Sequence, residues 1–365
     1  MRILHLLSSD RFSGAENVVC QIIGVLRDDP TLEMLYCSPD GEIAETLRER
    51  AVPFVPLRSM SVREVRRALR EQRIDVLHAH DMRASLIGAL AAPRRVKLIS
   101  HIHNNATDAR RLSVRSLTYL YAARRAKRIL WVSDSAKDDY RFSRLVAKKS
   151  EVLYNIVDKN ALIAAAEAEE GASYDIVFLG RLTPVKDPLR LIRILGRVRD
   201  AVPEVRCALI GKGELEDEVR ALIASLDLTE NVTLLGFKKN PYPYLARAKV
   251  MVMTSVYEGM PMAALEAASL GVPIVGTPVD GLLSLIREGE GGYLSADDET
   301  LAAHLARIVT DSALQARMSA HQSAVAEVRC NTAVYRERLL AVLRAACPQA
   351  MTPTDNVPPP AERSL

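Results

Sequence analysis

The chain has 365 residues, of which 48% are hydrophobic and 26% charged, so it is long enough for two domains and has the composition of a globular protein. Its five scattered cysteines form no CxxC pair, which excludes a disulfide framework and a zinc-finger pattern and indicates a reducing compartment. No apolar run reaches the roughly 18 residues that a membrane-spanning helix requires. The opening MRILHLLSSD lacks a cleavage site, so we interpret it as a strand and expect a cytoplasmic protein.

Short apolar runs in the first half predict β-strands, and segments of helical length and period separate most of them. The runs are 2–8, 31–38, 52–57, 74–80, 96–103 and 128–133, with helices over 15–27 and 61–72 among the segments between them. This alternation builds a parallel sheet, and nearly continuous apolar strands fit a sheet covered on both faces. We expect a first Rossmann-like domain over 1–165.

The pattern restarts after a predicted helical linker over 160–173. Five further runs predict strands at 174–180, 205–211, 231–237, 249–255 and 272–277. They predict a second Rossmann-like domain over 166–330, followed by a helix over 331–347 that packs back toward the first domain. The Pro-rich tail 348–365 is typical of disorder. The expected fold is α/β, with two doubly wound parallel sheets and ligands in an interdomain cleft at their strand ends.

A basic loop, GRLTPVKD (180–187), follows the first strand of the second domain. Gly180 permits a tight exit from the strand. Arg181 and Lys186 suit a diphosphate and would hold the negative charge that develops on a departing phosphate. Taken alone, an exposed basic loop explains these residues equally well.

The segment EGMPMAALE (258–266) predicts a turn and a helix with Pro261 at its first position. The free amides of that first turn are suited to a phosphate, and Glu258 at the helix mouth can accept hydrogen bonds from sugar hydroxyls. Glu266 lies in the second turn. The alternatives are that Glu258 complements the helix dipole and that Glu266 lies on a solvated helix face.

Three weaker signals also follow predicted strands. Gly211 and Gly213 in IGKGE would let the backbone approach a ligand, although a plain turn explains a lone GxG. Gly14 in SGAEN can expose amides to a phosphate, and Glu16 opens the next helix. His103 in HIHNN would face the same cleft, unless it is only a hydrogen-bonded histidine at a strand end.

Basic residues are concentrated at 94–128, where ten Lys and Arg side chains accompany one acid, Asp108. Within this range, 112–130 predicts a basic helix that could lie on an anionic membrane, or simply a solvated helix packed on the sheet. Nucleic acid is disfavoured because no aromatic stacking platform accompanies the charges. No HExxH and no strand-ending Asp-x-Asp occur, so neither a metal nor another cofactor is expected.

Taken together, these motifs resemble the retaining glycosyltransferases of the GT-B fold, family 4, also called glycosyltransferase group 1. The resemblance extends to about residue 330. GRLTPVKD resembles the family's GRL…K loop, and EGMPMAALEA its EGxP…EA motif. Four shorter segments also resemble family motifs: SGAEN, HAHDMRAS, VSDSAKD and YNIVD.

The resemblance implies a role for each matched position. Arg181 and Lys186 would grip the donor diphosphate, Glu258 would contact the transferred sugar, and Glu266 would bind the ribose. Catalytic candidates are Arg181, Lys186, Glu258 and His103; donor-binding candidates are Gly14, Gly180, Gly211, Gly213, Gly259, Met260, Pro261 and Glu266; Glu16 is placed on the acceptor side. The chain departs from the family pattern at four positions. Ser13 stands where the first loop often has a second Gly, and Ile156 replaces the usual Gly of the hinge. Asp280 and Ser284 replace a Gly and a Glu of the family's GGxxE stretch.

The implied activity is metal-independent transfer, with retention, of a hexosyl or N-acetylhexosaminyl unit from a nucleotide-diphosphate sugar. The acceptor would be a glycan or a lipid-linked glycan at the inner membrane face, in bacterial surface polysaccharide synthesis. Two alternatives remain open at this point. One is a sugar-nucleotide 2-epimerase of the same fold, and the other is a nucleotide-sugar-binding protein without turnover.

Overall fold

The computed structural model describes residues 1–103 and 107–348. Its first half contains a seven-stranded sheet in which every pair is parallel, in the order β3-β2-β1-β4-β5-β6-β7. The strands are β1 (Arg2–Leu6), β2 (Glu33–Pro39), β3 (Phe54–Leu57), β4 (Val76–Ala79), β5 (Lys97–Ile102), β6 (Arg128–Trp131) and β7 (Ser150–Val152). The helices are α1 (Gly14–Leu26), α2 (Ile43–Glu49), α3 (Val62–Glu71), α4 (Met82–Ala91), α5 (Val114–Arg125), α6 (Asp134–Asp138) and α7 (Ser143–Val146).

The second half contains a six-stranded parallel sheet in the order β10-β9-β8-β11-β12-β13. Its strands are β8 (Ile176–Leu179), β9 (Cys207–Ile210), β10 (Val232–Gly236), β11 (Val250–Met253), β12 (Ile274–Gly276) and β13 (Gly292–Leu294). Helix α8 (Lys159–Glu167) precedes it, and the others are α9 (Pro188–Ala201), α10 (Glu216–Ser225), α11 (Tyr242–Ala246), α12 (Met262–Ser269), α13 (Asp280–Leu285), α14 (Asp298–Thr310), α15 (Ser312–Arg329) and α16 (Thr332–Ala346). The predicted fold of two parallel α/β units is confirmed.

Strand order explains why particular loops bear the candidate residues. The order in which the chain adds strands reverses between β1 and β4 in the first sheet, and between β8 and β11 in the second. Ligands of doubly wound sheets bind outside the carboxyl ends of the strands at such a reversal. The SGAEN and GRLTPVKD loops leave β1 and β8, and EGMPMAALE follows β11, so all three segments start at these points.

Several predicted boundaries differ from the structure. Strands β7 and β13 were not predicted, because each has only three residues and lies at a sheet edge. The helix predicted over 112–130 ends at Arg125, since Ala126 is already extended before β6. The predicted linker helix ends at Glu167, four residues before Gly171.

Helix α16 packs on the first half of the chain. Arg336 Nη1 donates to the Val25 carbonyl at 2.6 Å and so ties α16 to the end of α1. The remaining tail, 349–365, for which disorder was predicted, and Asn104 and Asn105 of the HIHNN segment lie outside the described residues. Within 1–103 and 107–348, none of the helices combines the length and the hydropathy that crossing a bilayer would demand.

Candidate active site

Loops at the carboxyl ends of the strands of the two sheets contact each other, so these two sheet edges face each other. A methyl group on Gly14, at the start of α1, would lie 3.9 Å from Met262 Cγ, at the start of α12. Three residues further along α1, Asn17 Nδ2 donates to Glu266 Oε1 at 3.3 Å. The first glycine-rich segment and the EGMPMAALE segment therefore form opposite sides of one site.

Lys186 and Glu258 form an ion pair at the mouth of the second sheet. Their side chains are 19% and 13% exposed, so the pair is largely shielded from water. Ser255 Oγ donates to the same carboxylate oxygen, Glu258 Oε1, at 2.8 Å. Thr254 Oγ1 donates to the Lys186 carbonyl at 2.9 Å. These contacts join the loops after β8 and β11. Glu258 Oε2 receives no hydrogen bond from the described residues.

Arg181 lies in the same loop but is exposed. It forms no ion pair with any residue that the structure describes. Its guanidinium therefore remains available to an anionic ligand, whereas the Lys186 ammonium already has a carboxylate partner.

The structure gives Gly211 and Gly213 a different reason from the one expected. A methyl group on Gly211 would lie 2.0 Å from the Gly180 carbonyl oxygen, and one on Gly213 would lie 2.1 Å from the Leu182 carbonyl oxygen. Gly211 also has a φ of +142°, which side-chain-bearing residues rarely adopt. These glycines make room for the GRLTPVKD loop itself, and their donor contact stays a prediction.

The start of α12 differs by one residue from the prediction. Pro261 is extended, with φ −70° and ψ 120°, and is the cap residue, so Met262 is the first helical position. The preceding Gly259 and Met260 are buried. The Met260 carbonyl accepts from Asn155 Nδ2 at 3.0 Å, which ties the YNIVD segment to this turn.

Glu266 is 6% exposed, so the alternative of a solvated helix face is wrong. Burial raises its pKa to about 7, although the Tyr242 hydrogen bond and the Arg50 charge act in the opposite direction. Oε1 accepts from Tyr242 OH at 3.2 Å as well as from Asn17, and Arg50 Nη1 donates to Asn17 Oδ1 at 2.9 Å. No sequence motif indicated Arg50, and the sequence assigned no role to Tyr242.

Glu16 and the departures Ser13 and Asp280 also have structural partners. Glu16 is buried in the first turn of α1, where Ser13 Oγ donates to Oε2; burial raises the pKa of its carboxyl. Asp280 lies 3.7 Å from the Arg110 guanidinium of the first half. Ser13 and Asp280 therefore contribute contacts of their own.

His103 belongs to a cluster of five histidines, the histidine cluster, at the carboxyl ends of β1, β4 and β5. Its members are His5, His78, His80, His101 and His103, with neighbouring ring centroids 4.2–5.4 Å apart. His80 Nε2 pairs with His5 Nδ1, and His80 Nδ1 pairs with His103 Nε2, both at 2.9 Å. Burial lowers the pKa of His103 to about 3, so its imidazole is neutral at pH 7.

Sequence reasoning singled out His103 and missed the cluster. The segments HAH and HIH each place two histidines two residues apart, and therefore on one face of a strand. Because the strands that bear them are neighbours, that spacing could have predicted the cluster.

Two family models match successive halves of the chain and together cover residues 12–323. Residues 12–161 match the model "Glycosyltransferase Family 4", and 160–323 match "Glycosyl transferases group 1". The UDP-Gal:alpha-D-GlcNAc-diphosphoundecaprenol alpha-1,3-galactosyltransferase of Escherichia coli is 23% identical over 345 residues, or 86% of this chain and 89% of that protein.

Another relative matches more closely over a shorter stretch. The N-acetylgalactosamine-N,N'-diacetylbacillosaminyl-diphospho-undecaprenol 4-alpha-N-acetylgalactosaminyltransferase of Campylobacter jejuni is 35% identical over 150 residues, which span 40% of each protein. Among solved structures, Anabaena HepE in complex with UDP-glucose has a TM-score of 0.82 at 22% identity, covering 94% of this chain and 100% of that chain.

Two parallel-sheet domains that face each other through these loops define the GT-B class of α/β protein. The chain belongs to the glycosyltransferases of group 1, family 4. It is accordingly a glycosyltransferase, and the relatives above are named for transfer onto undecaprenol-linked glycans.

Proposed function

We propose that the chain transfers a hexosyl or N-acetylhexosaminyl unit from a nucleotide-diphosphate sugar to a glycan acceptor in bacterial surface polysaccharide synthesis, with retention and without a metal. The observation that carries the proposal is the shielded Lys186–Glu258 pair beside the start of α12, opposite Gly14. Cations and helix-start amides bind phosphate, and carboxylates bind sugar hydroxyls.

Each group has a part in the proposed reaction. The bond between the sugar C1 and the phosphate oxygen breaks, while the acceptor oxygen bonds to C1 on the same face. The acceptor proton passes to the departing phosphate oxygen. Lys186 and Arg181 stabilise the charge that grows on that phosphate, and Glu258 already holds the Lys186 charge in place before the bond breaks.

The two glutamates each keep one oxygen for the donor. Glu258 Oε1 is occupied by Lys186 and Ser255, which leaves Oε2 for a hydroxyl of the transferred sugar. Glu266 Oε1 is occupied by Asn17 and Tyr242, which leaves Oε2 for the ribose. His103, as a neutral imidazole on the first-domain side, would contact the sugar or the acceptor.

A calorimetric screen against nucleoside diphosphates and their sugars tests the donor half of this proposal. We expect micromolar binding of one nucleoside diphosphate that Lys186→Ala weakens at least tenfold, because a charge-assisted contact to the phosphate is lost. Equal, weak heat with every nucleotide would contradict it.

Product analysis then separates transfer from the two alternatives. Consumption of the donor only when a lipid-linked glycan is supplied, with an α-linkage from an α-donor, supports retaining transfer. Interconversion of two nucleotide sugars without acceptor would indicate an epimerase. Binding without any turnover across a broad acceptor panel would indicate a binding protein. Full activity after exhaustive chelation tests the proposed metal independence.

We further propose peripheral contact with an anionic membrane through helix α5. Its outer face exposes Val114, Leu117 and Tyr121, while Arg115 and Arg124 are also exposed. Basic side chains beside exposed apolar ones suit an anionic lipid surface.

Co-sedimentation with phosphatidylglycerol vesicles tests this contact. We expect Leu117→Asp to reduce binding at least fivefold, and Val328→Asp, on the exposed side of α15, to leave it unchanged. Equal binding to neutral phosphatidylcholine vesicles, or no loss in Leu117→Asp, would contradict the proposal.

A further inference from the structure

The histidine cluster contains more polar groups than the transfer reaction uses. Five of the seven histidines of the chain lie in it, and four of the five are almost completely buried. Among the described residues, six buried ring nitrogens have no hydrogen-bond partner: His5 Nε2, both of His78, both of His101 and His103 Nδ1. Buried polar atoms normally have a partner, so these nitrogens are available to a ligand or to water.

Three of these histidines have a geometry that suits one ion. His80, His101 and His103 each offer a ring nitrogen within 4.8 Å of the other two. His80 Nδ1 and His103 Nε2 are 2.9 Å apart. Two nitrogens bound to one tetrahedral zinc are separated by roughly 3.3 Å, because each bond is about 2.0–2.1 Å long. Only a small opening of this pair is therefore required.

The chemistry of the side chains favours a borderline transition metal. Neutral imidazole is the ligating form and suits zinc, cobalt, nickel and copper. His80 also has a supporting contact of the kind that metal-bound histidines make, since its Nε2 pairs with His5 Nδ1. When Nε2 carries the proton, Nδ1 is left with its lone pair toward His101 and His103.

Access distinguishes this triad from the other possible one. His5, His78 and His80 also place three nitrogens together, but all three residues are buried. His103 is only half-buried and follows the last residue of β5, Ile102, at the edge that faces the second domain. An ion can enter on this side, and a water molecule can complete its coordination.

We propose that His80, His101 and His103 form a binding site for a transition-metal dication such as Zn²⁺, and that the bound ion inhibits transfer by withdrawing His103 from the substrate. The proposed inhibition rests on the proposed function, whereas the metal site itself does not. The ion would bind to the first domain only and would take no part in the transfer itself.

Titration of chelator-treated protein with cobalt(II) tests the site without any activity measurement. We expect one ion per chain, the visible absorption of a four- or five-coordinate cobalt site, and displacement by an equivalent of Zn²⁺. Only the weak spectrum of hydrated cobalt, with the protein folded by circular dichroism, would overturn the proposal and would leave buried water as the partner of these rings.

Matched variants locate the site. His103→Gln, at the end of a strand, should weaken cobalt binding at least tenfold, and His321→Gln, in α15 beside Glu290, should not change it. Equal binding in wild type and His103→Gln would overturn the assignment of these ligands. If His103→Gln does not fold, the wild-type titration still decides whether the ion binds.

Inhibition is measured separately once a donor is known. We expect stoichiometric Zn²⁺ to lower transfer at least tenfold and a chelator to restore it. Cobalt binding without inhibition would overturn the proposed inhibition alone. The absence of any transfer would count against the proposed function and not against the metal site.

Discussion

The facing edges of the two sheets are built from opposite kinds of polar groups. At the second sheet the polar groups are charged, and the Lys186–Glu258 pair is held by Ser255 and Thr254. At the first sheet they are neutral imidazoles that pair with each other, as His80 does with His5 and His103. The same fold therefore presents an ion pair on one side of the site and a cluster of neutral imidazoles on the other.

Burial accounts for the difference. An ion pair keeps its charges when each partner has a counter-charge and some contact with water, as Lys186 and Glu258 do. The histidine cluster lies deeper, and burial lowers the pKa of His80 and His101 well below the usual range. We therefore expect the second sheet to stabilise the charge on the departing phosphate, and the first sheet to position the sugar or the acceptor through neutral hydrogen bonds.

Removal of the lysine charge is the strongest test of this contrast. Lys186→Ala should lower transfer by about 10²–10³-fold, because one preorganised group that stabilises the departing phosphate is lost. Steady-state transfer rates, with circular dichroism to verify the fold, measure the effect. Lys148→Ala, at an exposed lysine of the first domain, should match the wild type. A wild-type rate in folded Lys186→Ala would contradict the charged role of the second sheet.

Glu266 is the exception on the charged side, since it is buried without an ion-pair partner among the described residues. Its pKa is raised from 4.5 to about 7. Between these values the folded protein keeps a proton that the unfolded chain has lost, so the stability it confers is complete below about pH 4.5 and falls as the pH rises through 7. The loss is at most about 3 kcal/mol.

Glu266→Gln should remove this pH dependence, because the amide oxygen can still accept from Asn17 and Tyr242 but cannot ionise. Denaturant unfolding at pH 5, 6, 7 and 8 should show the variant gaining on the wild type as the pH rises. Donor affinity should fall in the same protein. The exposed Glu230→Gln gives the control. A stability difference that stays constant from pH 5 to 8 would show that Glu266 is ionised throughout.

Substitution in the histidine cluster should lower transfer less than Lys186→Ala does. His103→Gln replaces one neutral hydrogen-bonding group with another, so we expect about a tenfold lower kcat/KM, which corresponds to the loss of one hydrogen bond. The change should appear in the KM for the acceptor, while the donor dissociation constant stays within about twofold. His321→Gln is the matched control. A loss as large as that of Lys186→Ala would erase the distinction between the two sides.

The sequence was sufficient for the fold because alternating apolar runs and helical segments depend on local order along the chain. It failed where an element is too short to form a pattern, as at β7 and β13. It also misplaced Pro261 by one residue, since proline favours the first helical position but is here the extended cap residue, with ψ 120°.

The site was predictable where its residues are contiguous and charged, as in GRLTPVKD. Arg50 and Tyr242 were not, because Arg50 reaches Asn17 and Tyr242 reaches Glu266 from distant positions in the chain. Gly211 and Gly213 were identified for a ligand, but the structure explains them by the neighbouring loop, a packing relation that no local pattern shows.

The smallest predicted effect separates the two contacts of Glu266 Oε1. Asn17 reaches it from the first domain and Tyr242 from the second. Tyr242→Phe should cost about 1 kcal/mol, since it removes one hydrogen bond, and Asn17→Ala somewhat more, since it also removes the acceptor of Arg50. The Tyr242 hydrogen bond lowers the pKa of Glu266, so Tyr242→Phe should move the pH-dependent loss of stability to higher pH. Asn17 donates to the same oxygen and holds Arg50, whose charge also lowers this pKa, so Asn17→Ala should move the loss of stability in the same direction. Denaturant unfolding from pH 5 to 9 measures both, and equal shifts in the two variants would show that the carboxyl responds alike to donors from either domain.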